Sequence, residues 1–111
     1  MAEPDKKPDE KSNGVKELEL DGYKFKVDTD LLDDVDAFAL INKIENDNQI
    51  TAVVPLMHFL IGKEAFDEMR RYYVEKDGED HKDVEGYKPR MRIGKLGEIY
   101  QVIIKNFNPK G

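Results

Sequence analysis

Val15-Lys16-Glu17-Leu18-Glu19-Leu20-Asp21-Gly22-Tyr23-Lys24-Phe25-Lys26-Val27 is the stretch on which the fold turns. Leu18, Leu20, Tyr23, Phe25 and Val27 alternate with Glu19, Lys24 and Lys26. A period of two puts successive side chains on opposite faces, so each half is a strand with one apolar face. Asp21-Gly22 splits the two halves. Aspartate and glycine tolerate the positive φ angles of a type I′ turn, which joins antiparallel strands through two residues. That turn predicts Leu20 opposite Tyr23 and Leu18 opposite Phe25, with all four on one face. An isolated hairpin is only marginally stable. Its apolar face must therefore rest on helices or on another subunit's strands.

Downstream of the hairpin the apolar period becomes helical. Asp30 reads as an N-cap with Asp33 and Asp34 in the first turn, where carboxylates favour the positive end of the helix dipole. This predicts a first helix from Leu31 to Asn46. Ala37, Leu40, Ile41 and Ile44 form one stripe along it, and Leu31, Val35 and Phe38 a second, adjacent one. The apolar arc is wider than a surface helix needs. Asn46-Asp47-Asn48-Gln49 breaks the pattern. A second helix follows, with Ile50, Val53, Val54, Met57, Leu60 and Ile61 at helical spacing and Gly62 as its cap. Proline is tolerated only in a first turn, so Pro55 places the start as late as Val54, with the preceding Val-Val extended. A third helix is predicted from Lys63 to Lys76, with Phe66, Met69 and Tyr73 inward and Asp77-Gly78 as its stop. Glu79 to Met91 is polar and turn-rich, and loops of that length are usually functional or mobile. A last helix is predicted from Lys95 to Phe107, with Leu96, Ile99, Tyr100, Ile103 and Phe107 as its stripe and Asn108-Pro109 as its end. The expected architecture is one small α+β domain, residues 14–108, in which an N-terminal β-hairpin is followed by about four α-helices. A disordered tail, 1–13, precedes it, and a long mobile loop, 79–92, lies within it.

A chain of 111 residues suits a single domain. Its 39% apolar residues fall in dense blocks, which offsets a charged content of 38%. There is no cysteine, so no disulfide framework and no thiolate metal site. The longest apolar run, Ile50 to Ile61, is too short to span a bilayer. Met1-Ala2-Glu3-Pro4-Asp5-Lys6-Lys7 has no hydrophobic core and does not read as a signal peptide, which points to the cytoplasm. Residues 28–50 hold seven acids against the single Lys43, a net −6 that equals the charge of the whole chain. Gly86 to Gly97 holds Lys88, Arg90, Arg92 and Lys95 with no acid. An acidic element early and a basic one late suit head-to-tail self-association or docking to a charged partner.

The sequence offers no catalytic pattern. Asp28-Thr29-Asp30 opens like a calcium loop. Leu32, Asp33 and Ala39 then stand where that loop needs a ligand, a glycine and a glutamate. His58, in Leu56-Met57-His58-Phe59-Leu60, reads as a core or boundary residue, and His81 as an exposed one. Two histidines cannot complete a tetrahedral zinc site without carboxylates. Ser12, Thr29 and Thr51 have no base at a plausible spacing for nucleophilic catalysis. Gly94-Lys95-Leu96-Gly97 lacks the spacing of a phosphate loop. The expectation is a protein that is not an enzyme, with no cofactor and no metal. Nucleic acid is the remaining polar partner, through the basic 86–97 segment with Tyr87 nearby. The net negative charge opposes it, because such binding is driven by counterion release at cationic surfaces.

The order of elements carries a resemblance over residues 15 to 107. A hairpin, Leu18 to Val27, leads into an Asp-rich helix start. A helix ending Phe59-Leu60-Ile61-Gly62-Lys63-Glu64-Ala65-Phe66 and a closing helix follow. This pattern resembles the tail assembly chaperones of long-tailed bacteriophages that infect Gram-positive hosts. The resemblance implies a chaperone that coats the tape measure protein during tail morphogenesis and then yields to the tail tube protein. It implies a late protein of the host cytoplasm that is absent from the mature virion, and a short form beside a frameshifted longer one. The partner-binding candidates are Leu31, Val35 and Phe38 on the first helix and Lys88, Arg90 and Arg92 late in the chain. The alternative is a small regulatory module of a phage or mobile element that contacts nucleic acid through 86–97.

Overall fold

A computed structural model of the chain describes residues 14–107. The expectations for the tail 1–13 and for Asn108-Pro109 fall outside the described residues. Two antiparallel strands, β1 (Val15–Leu20) and β2 (Tyr23–Asp28), form the N-terminal hairpin. Leu18 pairs with Phe25 and Leu20 with Tyr23, the register that the two-residue turn dictates. Asp21 and Gly22 both take positive φ, 56° and 85°, the left-handed pair that a type I′ turn demands and that glycine adopts without strain. On the same face Leu18, Phe25 and Val27 are buried. Glu17 and Glu19 stand opposite Lys26 and Lys24 on the other face, so each cross-strand pair joins opposite charges.

Four helices follow: α1 (Val35–Asp47), α2 (Val53–Ile61), α3 (Lys63–Asp80) and α4 (Ile93–Lys105). The domain is α+β, a two-stranded hairpin followed by four helices. The hairpin lies on helices of its own chain, with β2 against α2 and β1 against α4. Tyr73 of α3 donates its hydroxyl to the Leu20 carbonyl at 2.7 Å, and Tyr72 to the Asp21 carbonyl at 2.6 Å. Lys95 of α4 pairs with the Asp21 carboxylate and, at 3.0 Å, with Glu98. Burial opposes the charge on Lys95, but the hydrogen bonds to Asp21 and Glu98 prevail and hold its pKa above the ordinary lysine value. Val53, Met57, Met69, Ile99 and Ile103, from α2, α3 and α4, are fully enclosed in the core.

Several boundaries differ from those expected, each for a local reason. The first helix begins at Val35 and not at Leu31, because Asp34 and not Asp30 caps it. The Asp34 carboxylate accepts from the amides of Asp36 at 2.8 Å and Ala37 at 3.2 Å. Asp28 takes the preceding cap, accepting from the Asp30 amide at 3.1 Å, so Thr29–Leu32 forms a separate 3-10 turn. Val53 is already helical, with φ −61° and ψ −32°, and Pro55 still sits within the first turn. The Val-Val pair expected to be extended is thus the first turn of the helix, and a 3-10 turn, Ile50–Ala52, precedes it. Helix α3 passes through Asp77-Gly78 and ends at Asp80. Gly78 serves packing rather than termination, since a Cβ there would meet the ring of Pro89 at 3.0 Å. The connection before α4 is correspondingly shorter than the 79–92 expected, and α4 starts at Ile93 rather than Lys95.

Candidate functional site

Helix α1 is the least enclosed helix of the domain. Of its 13 residues only Ala37 and Ile44 are buried, with Leu40 and Ile41 packed partly against the core. The second stripe faces outward: Val35 is 84% exposed, Phe38 65% and Leu31 37%. Residues three apart on a helix are neighbours, so Val35 and Phe38 form one apolar knob beside a shallow dimple floored by Leu32. Leu31 lies in the 3-10 turn next to the knob and does not line the dimple. Asp33 and Asp36 flank it, both exposed. The knob is thus apolar at its tip and acidic at its margin. Exposed single apolar side chains are ordinary; here two large ones stand at contact spacing on one helix.

A groove of about 560 Å³ lies between α2, α3 and the segment leading into α4. Val54, Phe66, Val74, Met91 and Leu96 give it an apolar wall, and Lys63, Arg70, Arg90 and Arg92 line it with cations, with Asp67 as the single carboxylate. Ile93, 64% exposed, stands at its edge. Lys63 is paired with Asp67 at 3.2 Å, and that hydrogen bond holds the Asp67 carboxyl below the usual range. His58 is half-buried in the same groove and meets Phe66 edge-on at 5.3 Å, the boundary position expected of it.

The late basic segment is organised around Asp77. Tyr87 donates its hydroxyl to the Asp77 carboxylate, the Arg90 amide donates to it at 3.1 Å, and the Arg92 guanidinium lies 3.5 Å away. The hydrogen bond from Tyr87, followed by those other contacts, lowers the Asp77 pKa despite partial burial. Arg92 also donates to the Tyr87 hydroxyl at 2.7 Å, and Arg90 sits 5.1 Å from the centre of the Tyr87 ring. His81 stacks on Tyr87 at 4.2 Å and is half-buried, where an exposed residue was expected. Of the six candidates, the structure brings Val35 and Phe38 together with Leu31 beside them. It brings Arg90 and Arg92 together around Tyr87. Lys88 is exposed, and only its carbonyl joins them, accepting from the Arg90 guanidinium at 3.0 Å. The groove was not foreseen, because its walls come from three separate segments. The one local trace of it is Tyr87 and Pro89 among arginines, ten and twelve residues beyond Asp77.

Among the described residues no group of three or more His, Asp or Glu side chains converges to hold a metal ion. Among the same residues no helix is long and apolar enough to cross a membrane. Comparison with protein-family models, with curated proteins and with solved structures returns no match for this chain.

Proposed function

We propose that this chain is a bacteriophage tail assembly chaperone that binds apolar helical segments of the tape measure protein and gives way to the tail tube protein during tail morphogenesis. In this role it performs no chemistry, needs no cofactor, works in the host cytoplasm and is left out of the mature virion. One observation carries the proposal: Val35 and Phe38 are 84% and 65% exposed on one face of α1, while the opposite face of that helix reaches the core. A helix-in-groove contact needs such anchors at three- and four-residue spacing. A long rod-like client offers complementary apolar stripes along its length. Two further features favour protein over nucleic acid as the partner. Arg92 is engaged by Asp77 and Tyr87, and Lys95 by Asp21 and Glu98, so half of the basic segment is already neutralised.

Co-expression tests the proposal. The partner is the longest rod-forming reading frame beside the gene, the place where a tape measure protein is encoded. The wild-type chain should keep that rod soluble and co-purify with it at salt that strips nucleic-acid binders. Val35→Ser with Phe38→Ser should remain folded by circular dichroism and lose the client. Equal recovery of client by the double variant would remove α1 as the contact. Binding that collapses as salt rises, together with capture of RNA or DNA, would favour the regulatory alternative.

A further inference from the structure

We propose that the cation-lined groove between α2 and α3 is the seat for the acidic apolar knob of a second copy of this chain, giving a head-to-tail interface. The two surfaces are complementary in charge and in apolar content. The knob presents Val35 and Phe38 between Asp33 and Asp36. The groove presents an apolar wall of Phe66, Met91 and Leu96 beside Arg70 and Arg90, in a volume of about 560 Å³ that admits both knob side chains. Among the described residues, Asp33, Asp36, Arg70 and Arg90 enter no ion pair. Two carboxylates therefore meet two guanidinium groups that are free of ion pairs among the described residues, Arg90 donating to the Lys88 carbonyl at 3.0 Å. The knob's own domain does not fill this groove, since no residue of α1 lines it. A client helix bearing acids would also fit the groove. The second copy is favoured because the required partner surface, with its charge and its apolar tip, is present on this same chain. Knob and groove are different surfaces, so the contact is heterologous, and repeated copies extend as an open array unless the rotation closes.

This interface stands on the geometry and does not rest on the chaperone role. Its test uses the purified chain with no client, so failure here leaves that role untouched. Sedimentation equilibrium of the full chain should show concentration-dependent association. From about 0.1 M to about 1 M salt the Debye length falls from about 10 to about 3 Å, and the association constant should fall about tenfold as the exposed ion pairs are screened. Val35→Ser with Phe38→Ser disables the knob, and Arg70→Glu with Arg90→Glu disables the groove. Each double variant alone should be monomeric with wild-type circular dichroism, and an equimolar mixture should form a 1:1 dimer that grows no further. If the knob variant loses its fold, Asp33→Lys with Asp36→Lys replaces it, since both carboxylates are exposed. A wild-type monomer at all concentrations overturns the proposal. So does a groove variant that self-associates like wild type, which would mean knob packed on knob, or a mixture that stays monomeric.

Discussion

Asp77 shows how one carboxylate can organise a segment that has little apolar surface of its own. Tyr87, Arg90 and Arg92 converge on it, and the contacts tie the connection before α4 back to α3. Those donors favour the charged form, so the folded Asp77 pKa lies below the usual carboxylate value of about 3.9. A depressed carboxylate contributes stability that is present above the unfolded value and lost as pH falls through the folded one. The docked arrangement should therefore persist unchanged through neutral pH and loosen only below about pH 4. The Arg90 amide is a direct reporter, because it donates to Asp77. Its proton resonance should move upfield on acidification with a midpoint below the ordinary carboxylate value. Asp77→Asn should abolish that titration. At neutral pH it should also speed tryptic cleavage after Lys82 and Arg90, and unchanged cleavage would show that the segment is held by other contacts. Pro89 is the first alternative to examine, since it packs against Gly78.

The hairpin rests on the helices through its buried apolar face, and side chains from α3 and α4 add polar ties to its turn. Tyr73 donates to the Leu20 carbonyl, and Tyr100 of α4 donates to Glu45 of α1 at 2.5 Å. Burial, then the nearby acidic groups, raises the pKa of both phenols above that of free tyrosine. A raised phenol favours its neutral form in the fold, so its contribution is present in full below about pH 10 and declines as pH rises further. Tyr73→Phe keeps the packing and removes one hydrogen bond, a loss of about 1 kcal/mol in denaturant unfolding at neutral pH. With Tyr100→Phe added, stability should fall less steeply than wild type above about pH 10, and equal slopes would refute the assignment. The hairpin itself was legible in the sequence because alternation, turn residues and register are local, and Asp21-Gly22 specifies all three. The stripes Phe66, Met69, Tyr73 and Leu96, Ile99, Tyr100, Ile103 were legible for the same reason. The helix starts were less so. Five aspartates between residues 28 and 36 offer several competing caps, of which the fold uses Asp28 and Asp34.

At the scale of the whole molecule, acidic and basic excess sit on different surfaces, the first around the α1 knob and the second along the groove. The outward stripe Leu31, Val35 and Phe38 was visible as surplus apolar arc, but the groove was not, because it exists only once α2, α3 and the segment before α4 are packed. Gly78 illustrates the reason: its sequence context reads as a helix stop, whereas in the fold it is the place where Pro89 crosses α3. If one knob serves both a client helix and a neighbouring copy, the two partners compete. A helical peptide from the tape measure protein should then dissolve self-assembled chains, not enlarge them. Light scattering distinguishes the outcomes, since competition lowers the mean particle mass as peptide is added and ends at a one-to-one complex of chain and peptide. Because each copy has one knob, half-dissociation should occur when peptide occupies half of the chains. Particles that grow in mass while peptide binds would place the client on a different surface, with Phe59 and Val84, both exposed, as the next apolar contacts to substitute. The Val35→Ser, Phe38→Ser variant separates the remaining case, because peptide bound by that variant cannot be held by the knob.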